Sequence, residues 1–497
     1  MSQLLRCKSI DALIAASEEP DKKLKKSLGL WSIIAMGIGA VIGSGIFTVT
    51  GTAAAGEHFL GKSILKAPVL DLLLNGGNAA TLSGRAGAGP AISISFVLVA
   101  IACGFAAICY AELASMIPIA GSAYTYSYAT LGEIFAWIIG WDLILEYAFS
   151  NMSVAVGFSA YLNDLLDNLF GFHFPKELSQ PIFEEGQRTG AWFNLPALIV
   201  LLILTYILVR GVRESAETNN AMVIIKIVAI TLFVFGAAKA VNSANWHPFM
   251  PNGYSGVLTG SAIVFFTYIG FDSVSTAAEE CRKPQRDMPA GIFATLAICA
   301  LLYGSVALVL TGIARWDTLN NDAPVANALK AIGMNRLRLI VTAGALIGMI
   351  SSLLVFQYGQ ARVWFAMSRD RLLPGIFSRV HPRFKTPHIS TWVAGFVVGI
   401  PAGIFDVSWF SDLSNIGTLF AFILVSAGVI VLRKKQPERR RGFRVPWVPV
   451  LPIISILCCL TLMLSLPLET WLRFFVWLVV GLFIYFFYGK KRTEFAS

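Results

Sequence analysis

The sequence predicts an all-α polytopic membrane protein with twelve transmembrane helices, and three observations carry this prediction. Of the 497 residues, 56% are hydrophobic and only 14% are charged, whereas about 25% of residues are charged in soluble domains. Long apolar runs of about 20 residues recur along the chain, each able to cross ~30 Å of hydrocarbon. The charges gather in short clusters between these runs. A soluble core cannot bury so many runs, so the chain is expected to span a membrane.

The apolar runs, taken in chain order, place the helices, which we name predicted spans one to twelve. They are expected at residues 30–54, 91–115, 132–160, 194–209, 220–240, 257–279, 289–313, 338–364, 389–405, 412–432, 447–465 and 470–488. Loops and tails on the side of the N-terminus carry 26 of the 39 Lys and Arg residues, and the opposite loops together with the span ends nearest to them carry 11. By the positive-inside rule both termini are cytoplasmic, and the cytoplasmic (inner) membrane is the expected location.

Composition also excludes several classes of protein. The net charge of +10 follows from the bias of Lys and Arg toward cytoplasmic loops, so no nucleic-acid partner is expected. The seven cysteines show no CxxC spacing, which argues against disulfides and metal sites. No Ser-His-Asp, HExxH or GxxxxGK[ST] pattern is evident, so neither an enzyme nor an ATP-driven pump is expected. We expect no cofactor, a lipid bilayer as the surroundings, and a monomer.

Predicted span one contains an unusual density of glycine. The run from Gly37 to Phe47 holds Gly37, Gly39, Gly43 and Gly45, and each glycine inside a helix costs about 1 kcal/mol relative to alanine. Close helix packing through small residues is the alternative explanation, and Gly39 and Gly43 fit that spacing. The tight sequence Gly43-Ser44-Gly45 instead favours an unwound stretch, which would leave backbone N–H groups free at the middle of the membrane.

Predicted span six supplies a counterpart in the run from Phe265 to Asp272, where a glycine and an acid interrupt an aromatic, apolar helix. Paired glycine-interrupted helices at equivalent places in two halves indicate a transporter site between inverted repeats. The N-terminal end of one half-helix offers N–H donors to a carboxylate. Free carbonyls at the other break suit an ammonium group. A zwitterionic α-amino acid carries both groups, so the two breaks predict an amino acid site.

These breaks divide the chain by position. We expect a cytoplasmic tail at 1–29, a first repeat of five helices at 30–240, a second at 257–432, two peripheral helices at 447–488 and a tail at 489–497. A long loop at 56–90 between predicted spans one and two is expected outside the cell, with room for a short helix. No role for this loop follows from the sequence.

Several motifs resemble those of the amino acid–polyamine–organocation (APC) superfamily of permeases, and in particular the bacterial relatives of the cationic amino acid transporter family. They are Gly43-Ser44-Gly45-Ile46-Phe47, Ala88 to Phe96, Tyr110-Ala111-Glu112-Leu113-Ala114, Pro118 to Tyr126, Gly140 to Tyr147 and Phe365 to Asp370. The likeness runs from about residue 30 to the C-terminus. It implies two inverted five-helix repeats (the LeuT-like fold) with broken helices one and six, plus two peripheral helices.

The resemblance also implies which residues bind the substrate. Its carboxylate would be bound by Ile42, Gly43, Ser44 and Gly45. Its amino group would be taken by backbone carbonyls of Phe266, Thr267 and Ile269, with Phe271 as an aromatic gate. Thr267 departs from the alanine of many relatives, and it would either narrow the pocket or add a hydroxyl contact.

Lys226 lies inside predicted span five, where an ammonium group is costly unless it is paired, hydrated or neutral. One interpretation is a side chain that snorkels to the cytoplasmic interface. The other is a proton-coupling residue, and in the permeases that this chain resembles such a lysine takes the place of sodium between spans one, five and eight. Ser351 and Ser352 keep sodium coupling as the weaker alternative.

Glu146 in predicted span three is expected beside the pocket by resemblance, where it would either hold a basic side chain or serve as a structural partner. Phe356 in predicted span eight would favour small neutral substrates. We therefore expect a proton-coupled amino acid symporter that favours neutral amino acids, with a cationic amino acid transporter or exchanger as the alternative. A membrane amino acid sensor is the alternative from another class.

Overall fold

The computed structural model describes residues 5–11, 14, 28–58, 61–76, 82–117, 122–184, 187–210, 216–321, 323–384 and 386–492. Parts of the N-terminal tail, the 56–90 loop and the 118–126 motif lie outside the described residues.

The described chain is mostly helical, with seventeen α-helices. They are α1 (Leu30–Val41), α2 (Val49–Ala55), α3 (Val69–Asn75), α4 (Ile92–Met116), α5 (Ser122–Thr130), α6 (Glu133–Phe170), α7 (Lys176–Ser179), α8 (Leu195–Arg210), α9 (Ala216–Ala237), α10 (Gly253–Val264), α11 (Pro284–Ile313), α12 (Pro324–Ala331), α13 (Asn335–Arg369), α14 (His388–Ala402), α15 (Val407–Lys435), α16 (Val450–Leu464) and α17 (Leu468–Phe487).

Shorter elements join these helices. Segments of 3-10 helix lie at Ile64–Lys66, Gly89–Ala91, Ala238–Ala240, Ser243–Trp246, Phe265–Tyr268, Phe271–Glu280, Trp316–Thr318, Gly375–Ser378 and Gly489–Lys491. The strands are β1 (Gly56–His58), β2 (Gly84–Ala86), β3 (Phe183–Glu184) and β4 (Gln187–Arg188). β1 pairs antiparallel with β2, and β3 with β4.

Each predicted span coincides with helical residues, but the helices differ in length. Among the described residues, seven helices are long and apolar enough to cross a membrane, and α1, α8, α14 and α16 are shorter apolar helices. These findings make the chain a polytopic helical membrane protein. The count of twelve crossings and the inverted repeat remain predictions.

The first helix breaks where glycine is densest. Helix α1 ends at Val41 and α2 begins at Val49, so residues 42–48 are not helical. The second predicted break is present as well, because α10 ends at Val264 and passes through a 3-10 turn before the chain becomes extended at Ile269. Both interruptions that the sequence predicted are therefore confirmed, and packing of small residues is not the whole explanation.

Helix α6 extends well beyond predicted span three at its C-terminal end. The apolar run ends near residue 160, yet the helix continues to Phe170 and ends at Gly171, whose φ is +62°. Asp164, in this extension, accepts hydrogen bonds from Arg338 (2.9 Å) and Thr342 (3.0 Å) of α13. The hydropathy of the sequence indicates only the part of a helix that lies in hydrocarbon. The last turns of α6 contain polar residues and are stabilised by hydrogen bonds to α13, so the apolar run did not predict them.

The 56–90 loop contains more structure than predicted. The expected short helix is present as α3. The antiparallel pair of strands β1 and β2 was not predicted; its strands are joined by the long segment that contains α3, and we call the pair the β1–β2 hairpin. The segment is tied to the turn between α16 and α17, because the Val69 N–H donates to the Leu466 carbonyl (3.1 Å) and the Leu468 N–H donates to the Ala67 carbonyl (3.0 Å). The described parts of the loop therefore lie packed against the helix ends on one side of the protein.

Candidate substrate site

The first break exposes backbone donors. The Ile42 N–H still donates to Ile38 (3.0 Å), and the Phe47 N–H donates to the Ser44 carbonyl (2.8 Å). Between them, none of the described residues accepts a hydrogen bond from the N–H groups of Ser44, Gly45 or Ile46. The hydroxyl of Ser44 is fully buried and likewise meets no hydrogen-bond partner among the described residues. Unpaired buried donors are costly, so this cluster is suited to an anionic group.

The second break exposes acceptors. The Ile269 N–H donates to the Phe266 carbonyl (3.3 Å), which leaves that predicted ligand partly engaged. Within the described chain, nothing donates to the carbonyls of Thr267 and Ile269. Gly270 follows with a φ of +114°, a backbone conformation that residues with a side chain rarely adopt. Carbonyls freed in this way suit an ammonium group.

Glycine allows the two breaks to touch. A Cβ placed on Gly45 would lie 2.8 Å from Cγ2 and 3.0 Å from Cα of Thr267. A Cβ on Gly43 would lie 2.9 Å from the Ser352 hydroxyl oxygen of α13. Gly45 therefore permits the close approach of the two unwound segments, and Gly43 permits the close approach of α13 to the first of them.

Thr267 contributes its methyl group and not its hydroxyl to this contact. The hydroxyl donates to the Val264 carbonyl (2.7 Å), one turn earlier. The methyl carbon is the side-chain atom closest to the position that a Cβ on Gly45 would take. Of the two effects expected for Thr267, the arrangement therefore favours a narrower pocket.

Lys226 connects three helices at the first break. Its side chain is fully buried, and its Nζ donates to the carbonyls of Gly39 (2.9 Å) and Ile42 (2.8 Å) at the end of α1. The Ser352 hydroxyl of α13 donates to the same two carbonyls (both 3.3 Å). The stem of Lys226 lies along Gly348, since a Cβ placed on that glycine would be 3.5 Å from the Cβ of the lysine. The lysine is buried, so it does not snorkel to the interface in this conformation.

Further hydrogen bonds at the breaks were not predicted. The Tyr303 hydroxyl of α11 donates to the Val41 carbonyl (3.0 Å), and the Asn415 side-chain amide of α15 donates to the Ala262 carbonyl (2.8 Å). They satisfy carbonyls at the ends of α1 and α10. No local sequence feature indicates either bond, because each joins residues more than 150 positions apart.

Phe271 lies beyond the second break and is fully buried. Its ring packs against Tyr110 of α4 (centroids 6.1 Å apart) and Phe422 of α15 (5.0 Å). The aromatic residue predicted as a gate thus fills the space between two helices next to the break.

Glu146 of α6 is fully buried, and neither carboxylate oxygen meets hydrogen-bond geometry with a described residue. Asp142, one turn earlier on the same helix, is also fully buried, and its carboxylate oxygens likewise meet no hydrogen-bond partner among the described residues. From a neighbouring helix, the Ser414 hydroxyl donates to the backbone carbonyl of Glu146 (3.4 Å) and not to its carboxylate. A buried carboxylate without a partner is stabilised by a bound cation or a proton. Both roles expected for Glu146 stay predictions.

We expect Glu146→Gln to separate substrate classes. The amide keeps the shape of the side chain but cannot pair with a basic substrate, so inhibition by arginine should disappear while uptake of a neutral amino acid persists. Competition assays in proteoliposomes measure both effects. Loss of neutral amino acid uptake, with normal folding, would instead place Glu146 in the transport step common to all substrates.

Comparison with known proteins gives a consistent family. The sequence profile described as "Amino acid permease" matches residues 28–488. The chain is 46% identical to the methylthioribose transporter of Bacillus subtilis (strain 168) over 99% of both proteins. It is 45% identical to the branched-chain amino acid permease BcaP of the same organism, over 99% of this chain and 98% of that protein. It is 33% identical to the chloroplastic cationic amino acid transporter 9 of Arabidopsis thaliana, over 99% and 93% of the two chains.

Proposed function

The chain belongs to the amino acid permease family, and from this premise we propose that it carries L-amino acids across the cytoplasmic membrane as a proton-coupled symporter working by alternating access. Its family and relatives are transporters, so the chain is a transporter and not an enzyme. One observation supports the substrate class above all. Two helix breaks meet in the buried centre, one with unpaired N–H groups and the other with unpaired carbonyls among the described residues.

A zwitterion satisfies both breaks at once. The N–H groups of Ser44, Gly45 and Ile46 would receive the α-carboxylate, and the carbonyls of Thr267 and Ile269 would receive the α-ammonium group. Hydrogen bonds to charged groups each contribute about 1.5–3 kcal/mol. A solute that lacks either charge leaves one set of buried groups unpaired, so the pair of breaks selects for amino acids.

Lys226 is the proposed coupling residue. Its charged ammonium joins α1, α9 and α13 through the Gly39 and Ile42 carbonyls, with Gly348 beside its stem. The neutral amine has no charge and one donor fewer, so these bonds weaken when the proton leaves. Gain and loss of one proton would then tighten and release the helices around the first break in each cycle.

Sodium remains the weaker alternative. The carbonyls of Gly39 and Ile42 and the hydroxyl of Ser352 are oxygens that could ligate a cation, but the Lys226 ammonium already lies among them. Two positive charges in one buried site repel each other strongly. Uptake that persists in sodium-free buffer and follows an imposed pH gradient would support the lysine, and a sodium requirement would contradict it.

Neutral amino acids, including branched-chain ones, are the proposed substrates. The Phe356 ring of α13 packs against Tyr147 of α6 (centroids 6.0 Å apart), the residue that follows Glu146 in the chain, and adds apolar bulk there. A relative named as a branched-chain amino acid permease is consistent with this preference. Cationic amino acids are the alternative, favoured by the carboxylate of Glu146, which meets no hydrogen-bond partner among the described residues, and by relatives named as cationic amino acid transporters.

The experiment that tests this proposal is uptake of labelled leucine into proteoliposomes, with competition by twenty amino acids and by methylthioribose. We expect neutral aliphatic amino acids to inhibit most strongly and a pH gradient, acid outside, to drive accumulation. Uptake of labelled methylthioribose without any uptake of leucine would move the assignment to the substrate named for one relative. Substrate binding without any flux by the purified protein would favour a sensor.

A further inference from the structure

The 56–90 segment takes no part in the proposed binding and coupling steps, although several contacts fix the position of its described residues. It begins directly after α2, the half of the first broken helix that leads away from the site, because Ala55 is followed by Gly56 of β1. The hairpin returns beside α2, where the Ala88 N–H donates to the Ala53 carbonyl (3.0 Å). The segment therefore moves with α2 if α2 moves.

A buried charge cluster fastens the hairpin to α15. Arg85 on β2 is only 3% exposed, and its guanidinium pairs with Glu57 on β1 at 2.6 Å. The same guanidinium pairs with Asp412, in the first turns of α15, at 2.9 Å. One arginine thus holds a carboxylate of its own hairpin and a carboxylate of a distant helix. Arginine is suited to this because its planar group carries five donors in a fixed arrangement.

Two more hydrogen bonds join the segment to α10, the first half of the second broken helix. The Asn252 side-chain amide, at the start of α10, donates to the Gly87 carbonyl (2.8 Å). The Ser255 hydroxyl of α10 donates to Asp71 of α3 (3.2 Å). The segment consequently touches the ends of α2, α10 and α15 on one side, together with the turn between α16 and α17.

We propose that residues 56–58, 61–76 and 82–90, which we call the lid, close the substrate site on this side, and that Arg85 releases Asp412 each time the site opens there. The inference rests on the proposed transport function. Helices α2 and α10 are the halves of the broken helices that lie between the site and the lid, so an opening on this side has to separate them. The lid ties both helices to α15 and would have to detach from one of them first.

Glu57 allows Arg85 to leave Asp412 without leaving the guanidinium unpaired. When Arg85 leaves Asp412, an ionised Glu57 keeps the guanidinium paired within the hairpin. A single charge pair broken in a buried place leaves an unpaired charge, which is strongly unfavourable. The hairpin carries its own counter-ion and so avoids that outcome.

The lid should also respond to pH. Burial raises the pKa of Glu57 from 4.5 to about 7, against the opposing effect of Arg85. The charged groups around it are Arg85 on β2, Asp412 and Asp406 at the start of α15, and Arg473 on α17 beyond them. An opened lid returns Glu57 to water, where its pKa falls back. Glu57 then binds its proton more tightly when the lid is closed than when it is open. Proton binding therefore favours the closed lid at low pH, and this stabilisation is lost as the pH rises through about 7.

A disulfide across the lid tests whether it must move. Pro68 and Pro467 face each other in an antiparallel bridge flanked by the Val69–Leu466 and Leu468–Ala67 hydrogen bonds. In such a pair the Cα atoms lie about 4.5 Å apart, which a disulfide can bridge. We expect oxidation of the Pro68→Cys/Pro467→Cys variant to stop leucine uptake and reduction to restore it, while each single variant is indifferent to oxidation.

The outcomes separate this inference from the proposed function. Equal uptake by the oxidised and reduced double variant, with the disulfide verified by mass spectrometry, overturns a lid that moves away from the turn between α16 and α17. Absence of uptake of every amino acid by the wild-type protein overturns the proposed amino acid transport instead.

A second measurement does not depend on the disulfide. Ala53 is fully buried beside the lid, so Ala53→Cys reports access to α2 through maleimide labelling. Labelling rates are divided by those of the exposed His58→Cys, which corrects for the effect of pH on thiol reactivity. Introducing Arg85→Lys into the Ala53→Cys variant should raise the corrected rate several-fold, because an ammonium group lacks the planar set of five donors that meets both carboxylates at once. Arg188→Lys on the exposed β3–β4 hairpin should leave the corrected rate unchanged.

The same probe tests the role of Glu57. We expect slower corrected labelling at pH 6 than at pH 8, and no difference between the two once Glu57→Gln is introduced. Equal corrected labelling rates for Ala53→Cys with and without Arg85→Lys, at both pH values, would overturn the proposed role of Arg85 in holding the lid closed.

Discussion

Lys226→Ala is expected to abolish uptake driven by a pH gradient while the protein remains folded. The substitution removes the ammonium group that donates to Gly39 (2.9 Å) and Ile42 (2.8 Å), and with it the link from α9 to the end of α1. Each hydrogen bond to a charged group contributes about 1.5–3 kcal/mol, so we expect the initial rate to fall at least about tenfold. Uptake of labelled leucine into proteoliposomes at several imposed pH gradients measures the effect.

Two further variants make this result specific to the proton. Lys226→Arg keeps a positive charge, because a guanidinium group does not release its proton in proteins. We therefore expect this variant to bind substrate but to lose the dependence of uptake on the pH gradient. Lys239→Ala replaces an exposed lysine just beyond the same helix and should behave like the wild-type protein. Unchanged proton dependence in Lys226→Ala would refute the coupling role.

Gly45→Ala is expected to remove substrate binding through a single added methyl group. The new carbon would lie 3.0 Å from Cα of Thr267, a backbone atom that no side-chain rotation can move aside. Overpacking of this kind costs about 1–3 kcal/mol, and each ~1.4 kcal/mol is tenfold in affinity. We therefore expect the stabilisation of the purified protein by leucine in a thermal-shift assay to disappear or to need at least about tenfold more leucine.

Gly104→Ala is the matched control for that experiment. Gly104 lies within helix α4, and apart from its chain neighbours and the nearby backbone of its own helix, no described atom lies within 4 Å of the Cβ that it would gain. Alanine is the better helix former, so this variant should keep both stability and binding. Retained affinity in Gly45→Ala would count against the proposed carboxylate site.

Much of the fold was predictable because it depends on local sequence. Runs of about 20 apolar residues mark membrane helices by length alone, and the density of glycine between Gly37 and Gly45 marked the first break. The interruption near Gly270 could be predicted for the same reason, since a φ of +114° is a glycine conformation. The position of Lys226 within an apolar run singled it out before its partners were known.

What could not be predicted depends on residues far apart in the chain. Arg85 and Asp412 form an ion pair across 327 positions, and neither has a local feature that indicates the other. The engagement of the Thr267 hydroxyl with Val264 depends on a 3-10 turn that no sequence pattern indicates. The β1–β2 hairpin was missed because its three-residue strands are too short to show alternation.

The central claim is that unpaired backbone groups at two helix breaks hold both charges of one amino acid. Analogues that lack one charge test it most directly, namely the methyl ester and the N-acetyl derivative of whichever amino acid inhibits leucine uptake most strongly. Since each charged hydrogen bond contributes about 1.5–3 kcal/mol, we expect both derivatives to need at least about tenfold higher concentration than the parent amino acid for half-inhibition. Inhibition by either derivative at the concentration of the parent would contradict the claim.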